Sequence, residues 1–251
     1  MADPVATSPP GAKPPRFGRR FSVAYAALAV CFWATIAVGT IFVVRGVGGD
    51  HAAWSAWRPT GSGFDAAQQI AKHVGAEYRV DDVGGGPLVF VHPQDVDATQ
   101  LAGFIWRSAS EELPSRRTLV YELCGAATSP NCAIEGVPSD AREELIRREA
   151  LELILYSYKY VKGYDSVVAF LPPAESAPKQ LRVVLFRRDD LKQELRRPLR
   201  QTLATSHRVT PSSLTTIDES TVDELTAPHF FNAKPVALPS GSSFLELTPV
   251  G

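Results

Sequence analysis

The chain has 251 residues, a formal net charge of −1 and 45% apolar residues. That composition excludes wholesale disorder and a multi-span transporter. The near-zero charge argues against a dedicated nucleic-acid binder, which carries a basic excess, so no nucleic-acid partner is expected.

Residues 1–20 carry Pro4, Pro9, Pro10, Pro14 and Pro15 among small residues. Proline at that density cannot hydrogen-bond into a helix or sheet, so a disordered tail is expected, a spacer rather than a docking ligand. Phe21–Val44 follows with no charge, no proline and one glycine. At ~1.5 Å per helical residue it crosses an apolar bilayer core of about 30 Å. Lys13, Arg16, Arg19 and Arg20 precede it and Arg45 follows. Cations stay on the cytoplasmic side, so the expected topology is a single span in the cell membrane, N-terminus inside and C-terminal domain outside. Ala37-Val38-Gly39 has the small residues of a signal-peptide cleavage site. The apolar run is longer than the ~7–15 residues of a signal h-region, which favours an uncleaved anchor. Leu28-Ala29-Val30-Cys31 misses a lipidation box through Val30. Small residues including Thr35 and Gly39 allow close helix approach, and the oligomeric state stays open.

Residues 45–62 read as a Gly-rich connector. Trp54 and Trp57 within it suit either the bilayer interface or the domain surface. The domain itself is expected over 63–251. Phe64, Ala67, Ile70, Ala71 and Val74 have helical spacing, with Gly75 as the stop. Tyr78–Val80 reads as a short strand, Asp81 to Gly86 as a hairpin turn, and Leu88–Val91 as a strand ended by Pro93. Gly84–Gly86 lacks the lysine and glycine spacing of a phosphate loop. Asp81, Asp82, Asp95 and Asp97 lack calcium-loop spacing and read as solvated acids. Thr99–Ala109 fits helix and strand equally, and Leu119–Leu123 is a clearer strand.

Cys124 and Cys132 flank a short Gly/Ser/Pro/Asn loop. A disulfide is the favoured reading outside the cell, over a zinc site, for which two further ligands are missing, and over a redox pair, which prefers two intervening residues.

Asp140–Gly163 is the clearest helix. Asp140 and Glu143 have capping-box spacing, and Glu144 and Arg148 form an i, i+4 pair. Its broad apolar stripe (Ile146, Ala150, Leu153, Ile154, Val161) predicts packing on a sheet. Ser166–Leu171 and Leu181–Phe186 read as an antiparallel hairpin, because no helix separates them. Tyr156, Tyr158, Tyr160 and Tyr164 read as core packing rather than a stacking site. Asp189 or Asp190 is expected to cap a helix with Leu191, Leu195, Leu199 and Leu203 on one face, kinked at Pro198. Arg187, Arg188, Lys192, Arg196, Arg197 and Arg200 give it a basic face, either solvated or suited to an anionic lipid or envelope polymer. Thr205–Thr216 reads as a linker, Ser220–Leu225 as a short helix, and His229–Leu238 and Phe244–Leu247 as a closing hairpin.

The segments LVYELCG…NCAIEG, RREALELILYSYKYVKGYDSVVAFLPP, LFRRDDLKQELRRPLRQTL and SFLEL resemble uncharacterised single-pass membrane proteins of high-GC actinobacteria. The resemblance covers most of the region beyond the span. It implies an anchored extracytoplasmic domain and carries over no catalytic residue.

Nucleophile-elbow, zinc-protease, Walker and dinucleotide motifs are absent from the sequence. The histidines His51, His73, His92, His207 and His229 are scattered and read as surface or capping residues. No cofactor or metal is expected. The expected fold is α+β, with an antiparallel or mixed sheet packed by helices. The expected function is a membrane-anchored interaction or structural module of the cell envelope, its partners the lipid bilayer and envelope or membrane proteins. Binding of an anionic lipid or polymer through the basic helix is the alternative, and an extracytoplasmic enzyme is the third class.

Overall fold

A computed structural model describes residues 53–83, 85–94, 101–106, 111–114, 117–124, 139–173, 180–204, 208–237, 239 and 243–250. The expected tail, the span Phe21–Val44, Asp95, Asp97 and Cys132 lie outside the described residues. No helix among the described residues is long and apolar enough to cross a membrane.

The fold is α+β with one mixed sheet, as expected. Eight strands take the order β1-β4-β5-β6-β7-β8-β2-β3. They are β1 (Phe90–Gln94), β2 (Leu101–Trp106), β3 (Glu111–Pro114), β4 (Thr118–Cys124), β5 (Ser166–Leu171), β6 (Leu181–Arg187), β7 (Phe230–Ala237) and β8 (Ser243–Pro249). The helices are α1 (Gly63–Glu77), α2 (Asp140–Tyr160) and α3 (Thr216–Thr226). β4 and β5 run parallel because α2 lies between them in the chain and carries the crossover. β5 and β6 form the expected antiparallel hairpin, Ser166 opposite Arg187. β7 and β8 form another, Ala237 opposite Ser243. β2 pairs parallel with β8, a long-range pairing with no local signal.

The sheet curls. β5 and β2 are four strand steps apart in the sheet, about 19 Å if it were flat at ~4.8 Å per step. Yet the rings of Phe170 on β5 and Phe104 on β2 lie 6.4 Å apart. Curling buries Phe104, Val168, Val183, Leu185 and Phe231 in a core of their own on the concave side. The larger core, on the other face, takes α1 and α2 through Ile70, Val74, Leu145, Leu153 and Ile154.

Several boundaries differ from expectation. α1 passes Gly75 and ends at Glu77. Gly75 serves close packing instead, since a Cβ there would meet Val91 at 3.4 Å. Tyr78 and Arg79 make isolated bridges, to Val209 and Pro87, rather than a strand. The expected turn after them is present. Val80 N–H donates to Gly86 O at 3.2 Å, and the Asp81 carboxylate accepts from Val83 and Gly85 N–H at 2.9 and 2.8 Å. Pro93 lies inside β1, opposite Tyr121. It is tolerated because β1 is an edge strand, where a missing N–H costs the ladder nothing on the open side. Within the ambiguous Thr99–Ala109 stretch, Leu101–Trp106 is strand β2.

The N-cap of α2 is Ser139, whose hydroxyl accepts from Arg142 N–H at 3.2 Å, and not Asp140. Glu144 is not the close partner of Arg148, which is buried beside Glu152 instead. The expected helix over 189–203 is absent. Two short 3-10 turns, Arg188–Leu191 and Leu199–Gln201, stand in its place, with Pro198, which has no N–H to give a helix, preceding the second. Leu191, Leu199 and Leu203 are still buried. Beyond residues 205–207, which are not described, the expected Thr205–Thr216 linker is built into the fold. Val209 and Thr210 are buried, and Val209 N–H donates to Glu77 O at 2.8 Å.

Candidate binding cleft

A fully buried arginine is costly unless each charge and donor finds a partner. Arg148, midway along α2, is 2% exposed. Its Nη1 donates to Tyr78 Oη and its Nη2 to Ala204 O, both at 2.6 Å. Tyr78 Oη donates onward to Glu152 Oε2 at 2.6 Å, and Glu152 Oε2 lies 3.7 Å from Arg148 Nη1. The Val209 bridge holds the end of α1 against this network: Arg79 N–H donates to Val209 O at 2.9 Å.

The network forms the floor of a cleft of about 450 Å³ between α1, α2, the segment before α1 and the Leu199–Val209 stretch. Its walls are aromatic. Trp54 packs edge-on against Tyr156 at 5.3 Å and Tyr160 at 5.8 Å. Trp57 stacks on His73 at 4.0 Å and 17°. Both tryptophans thus pack against the domain. Trp54 O accepts from Leu199 N–H at 2.7 Å, and Ser55 Oγ lies 2.9 Å from Tyr160 Oη. These bonds fasten the segment over the cleft.

Two carboxylates face this space, Glu77 from the last turn of α1 and Glu152 from α2. Burial raises the Glu152 carboxyl above the usual range, against the pull of Arg148 and the Tyr78 hydrogen bond. Burial lowers His73, and Glu77 opposes that shift. The Tyr156 phenol is pushed up to about 12, chiefly by burial. Glu149, behind the cleft, is completely buried with neither carboxylate oxygen hydrogen-bonded; burial raises it well above the ordinary carboxyl. Among the described residues no cluster of three or more metal-ligating side chains occurs.

The basic residues singled out in the sequence do not act together. Arg188 turns inward, donating to Tyr158 O and to Val161 O, the latter at 3.2 Å. It closes the C-terminal end of α2, where free carbonyls attract cations. Arg197 donates to Thr202 Oγ1 at 3.0 Å and lies 3.4 Å from Glu194. Lys192 pairs with Asp189 at 2.9 Å. Arg187 is half-buried, whereas Arg196 and Arg200 are exposed, and Arg200 stands at the rim of the cleft. Cys124 ends β4 and is buried. His229 packs on Phe186 at 4.2 Å.

The cleft residues carried a weak sequence signal. Leu145, Arg148, Glu149, Glu152 and Tyr156 share one face of α2 by helical spacing. Charges within an apolar stripe mark a buried polar network, and His73 with Glu77 repeats the i, i+4 pattern on α1. Nothing local announced that Trp54 and Trp57 would close the same space. Comparison with protein-family models, with curated proteins and with solved structures finds no match.

Proposed function

We propose that this chain is a membrane-anchored recognition module whose binding site is the aromatic cleft. Phe21–Val44 is the anchor, the N-terminus is cytoplasmic and residues 52–251 stand outside, with Cys124 and Cys132 joined. The charge asymmetry about the apolar run supports that placement, and the short spacing of Cys124 and Cys132 in the sequence suits a bridge outside the cell. The observation that carries the recognition reading is the cleft itself: a space of about 450 Å³, walled by aromatic rings and faced by the carboxylates of Glu77 and Glu152. Such a concave, largely apolar space with a few convergent polar groups is the usual form of a binding site. The anionic-polymer alternative has less support, because Arg188, Arg197 and Lys192 are held by partners within the domain.

The test is site-specific photo-crosslinking of the full-length chain in intact cells. A photoreactive side chain in place of Arg200 is expected to give a discrete adduct, read by mass, that is lost on a Trp57→Ala background. The same group in place of Ile217, which is 79% exposed, is expected to give none. Equal adducts from both positions, or none from the cleft, overturn the reading. Topology is read separately. A Val83→Cys thiol is expected to react with a membrane-impermeant maleimide, and without permeabilisation.

A further inference from the structure

We infer that the cleft takes a flat organic cation, an amidinium, guanidinium or arylalkyl ammonium, with the charge directed to Glu77 and Glu152. The inference rests on the cleft being the recognition site. Glu77 and Glu152 both line this space; burial first, and the charge of Glu77 after it, disfavour the ionised Glu152 carboxylate until a cation arrives. Tyr78 and Arg148 already serve Glu152 Oε2, and among the described residues no donor reaches Oε1. Nor does the Glu77 carboxylate receive a hydrogen bond there.

The floor charge of Arg148 is committed to Tyr78, Ala204 and Glu152. Of the other cations nearby, Arg200 is exposed at the rim, where solvent screens it, and Lys159 donates to Leu195 O at 3.0 Å. Arg148 offsets Glu152, so the charge left uncompensated in the inner space is that of Glu77. The rings of Trp54, Trp57 and Tyr156 line the space and suit an apolar body, and where a charge meets an aromatic face a cation is favoured over a neutral group of equal shape. A sheltered guanidinium or amidinium keeps its charge when partly desolvated, because its charge is delocalised and weakly hydrated.

The test uses full-length protein in a non-ionic detergent and three isosteric probes: benzamidine, benzamide and benzoate. Binding is followed by calorimetry and by quenching of tryptophan fluorescence. Benzamidine is expected to bind saturably, with benzamide about tenfold weaker and benzoate inert. Glu77→Gln is expected to weaken benzamidine about tenfold, with near-UV dichroism unchanged. Arg200→Gln is expected to leave it equal or slightly tighter. Benzoate binding more tightly than benzamidine overturns the charge assignment but leaves the cleft as a recognition site. Equal affinity of the Glu77→Gln variant also overturns it. If none of the probes binds and the crosslink from position 200 persists, the cation assignment fails alone. If both fail, the recognition reading falls with it.

Discussion

The guanidinium of Arg148 donates to the phenolic oxygen of Tyr78 at 2.6 Å, and that phenol donates to Glu152 at the same distance. The phenol thus stands between a buried cation and a buried carboxyl, joining the end of α1 to the middle of α2. Removing the cation leaves the Tyr78 hydroxyl without its donor and Glu152 without its ion-pair partner. Arg148→Met is expected to destabilise the domain by roughly 3–5 kcal/mol, and Tyr78→Phe by about 1–3 kcal/mol. The double variant should lose less than the sum, since both break one network. Urea unfolding of the full chain, followed by near-UV dichroism, checks this.

Glu149 gives a prediction of opposite sign. It is fully buried, neither of its oxygens is hydrogen-bonded among the described residues, and burial holds its folded pKa well above 4.5. The folded state keeps this proton at pH values where the unfolded chain has released it. Its contribution to stability is therefore present below about 4.5 and is lost as pH rises toward the folded value. Glu149→Met, similar in volume and without a polar group, is expected to stabilise the domain by about 1–3 kcal/mol at neutral pH. The gain should shrink toward pH 4.5. A variant less stable than the parent at pH 7.5 would show that the carboxylate has a partner.

Arg188 tests whether the basic residues are structural. Its guanidinium closes α2 at Tyr158 O and Val161 O and lies 5.0 Å from the Tyr158 ring centroid. Arg188→Ala is expected to cost roughly 1.5–3 kcal/mol and to speed hydrogen exchange in the last turn of α2. Arg188→Lys should restore only part, because an ammonium cannot fork between two carbonyls. Binding to anionic vesicles is expected to be the same in all three proteins, and a loss confined to the variants would return weight to lipid binding.

His73 reports on the cleft directly. Burial lowers it below 6.5 while Glu77 opposes. The fold therefore prefers the neutral ring. The stability this contributes is present above about 6.5 and is lost as pH falls through the lowered folded value. Glu77→Gln removes the opposing charge, so the His73 midpoint should move further down by NMR titration. His229, which has Asp190 beside it, should not move. A His73 midpoint above 6.5 would show that the Glu77 charge outweighs burial of the ring.

Legibility in the sequence followed the range of the forces. α1, α2 and the β5–β6 and β7–β8 hairpins were readable because apolar periodicity and turn residues act within a few positions. The stretch over 189–203 misled because a four-residue leucine spacing satisfies a helix and a chain of turns alike. Its leucines are buried either way, and the backbone is decided by Pro198 and by what the segment packs against. Arg148 read as the ion-pair partner of Glu144 because sequence spacing shows which face a residue shares, not what covers that face.

The sequence alone thus determined the periodic elements, the antiparallel hairpins and the α+β class, through local steric and hydrophobic preferences. Tertiary structure alone decided the curl that brings Phe104 to Phe170, the β2–β8 pairing and the meeting of Trp57, His73, Glu77, Arg148 and Glu152. Those contacts join residues far apart in the chain. Their energy is realised only once the loops between them close, so no local pattern announces them.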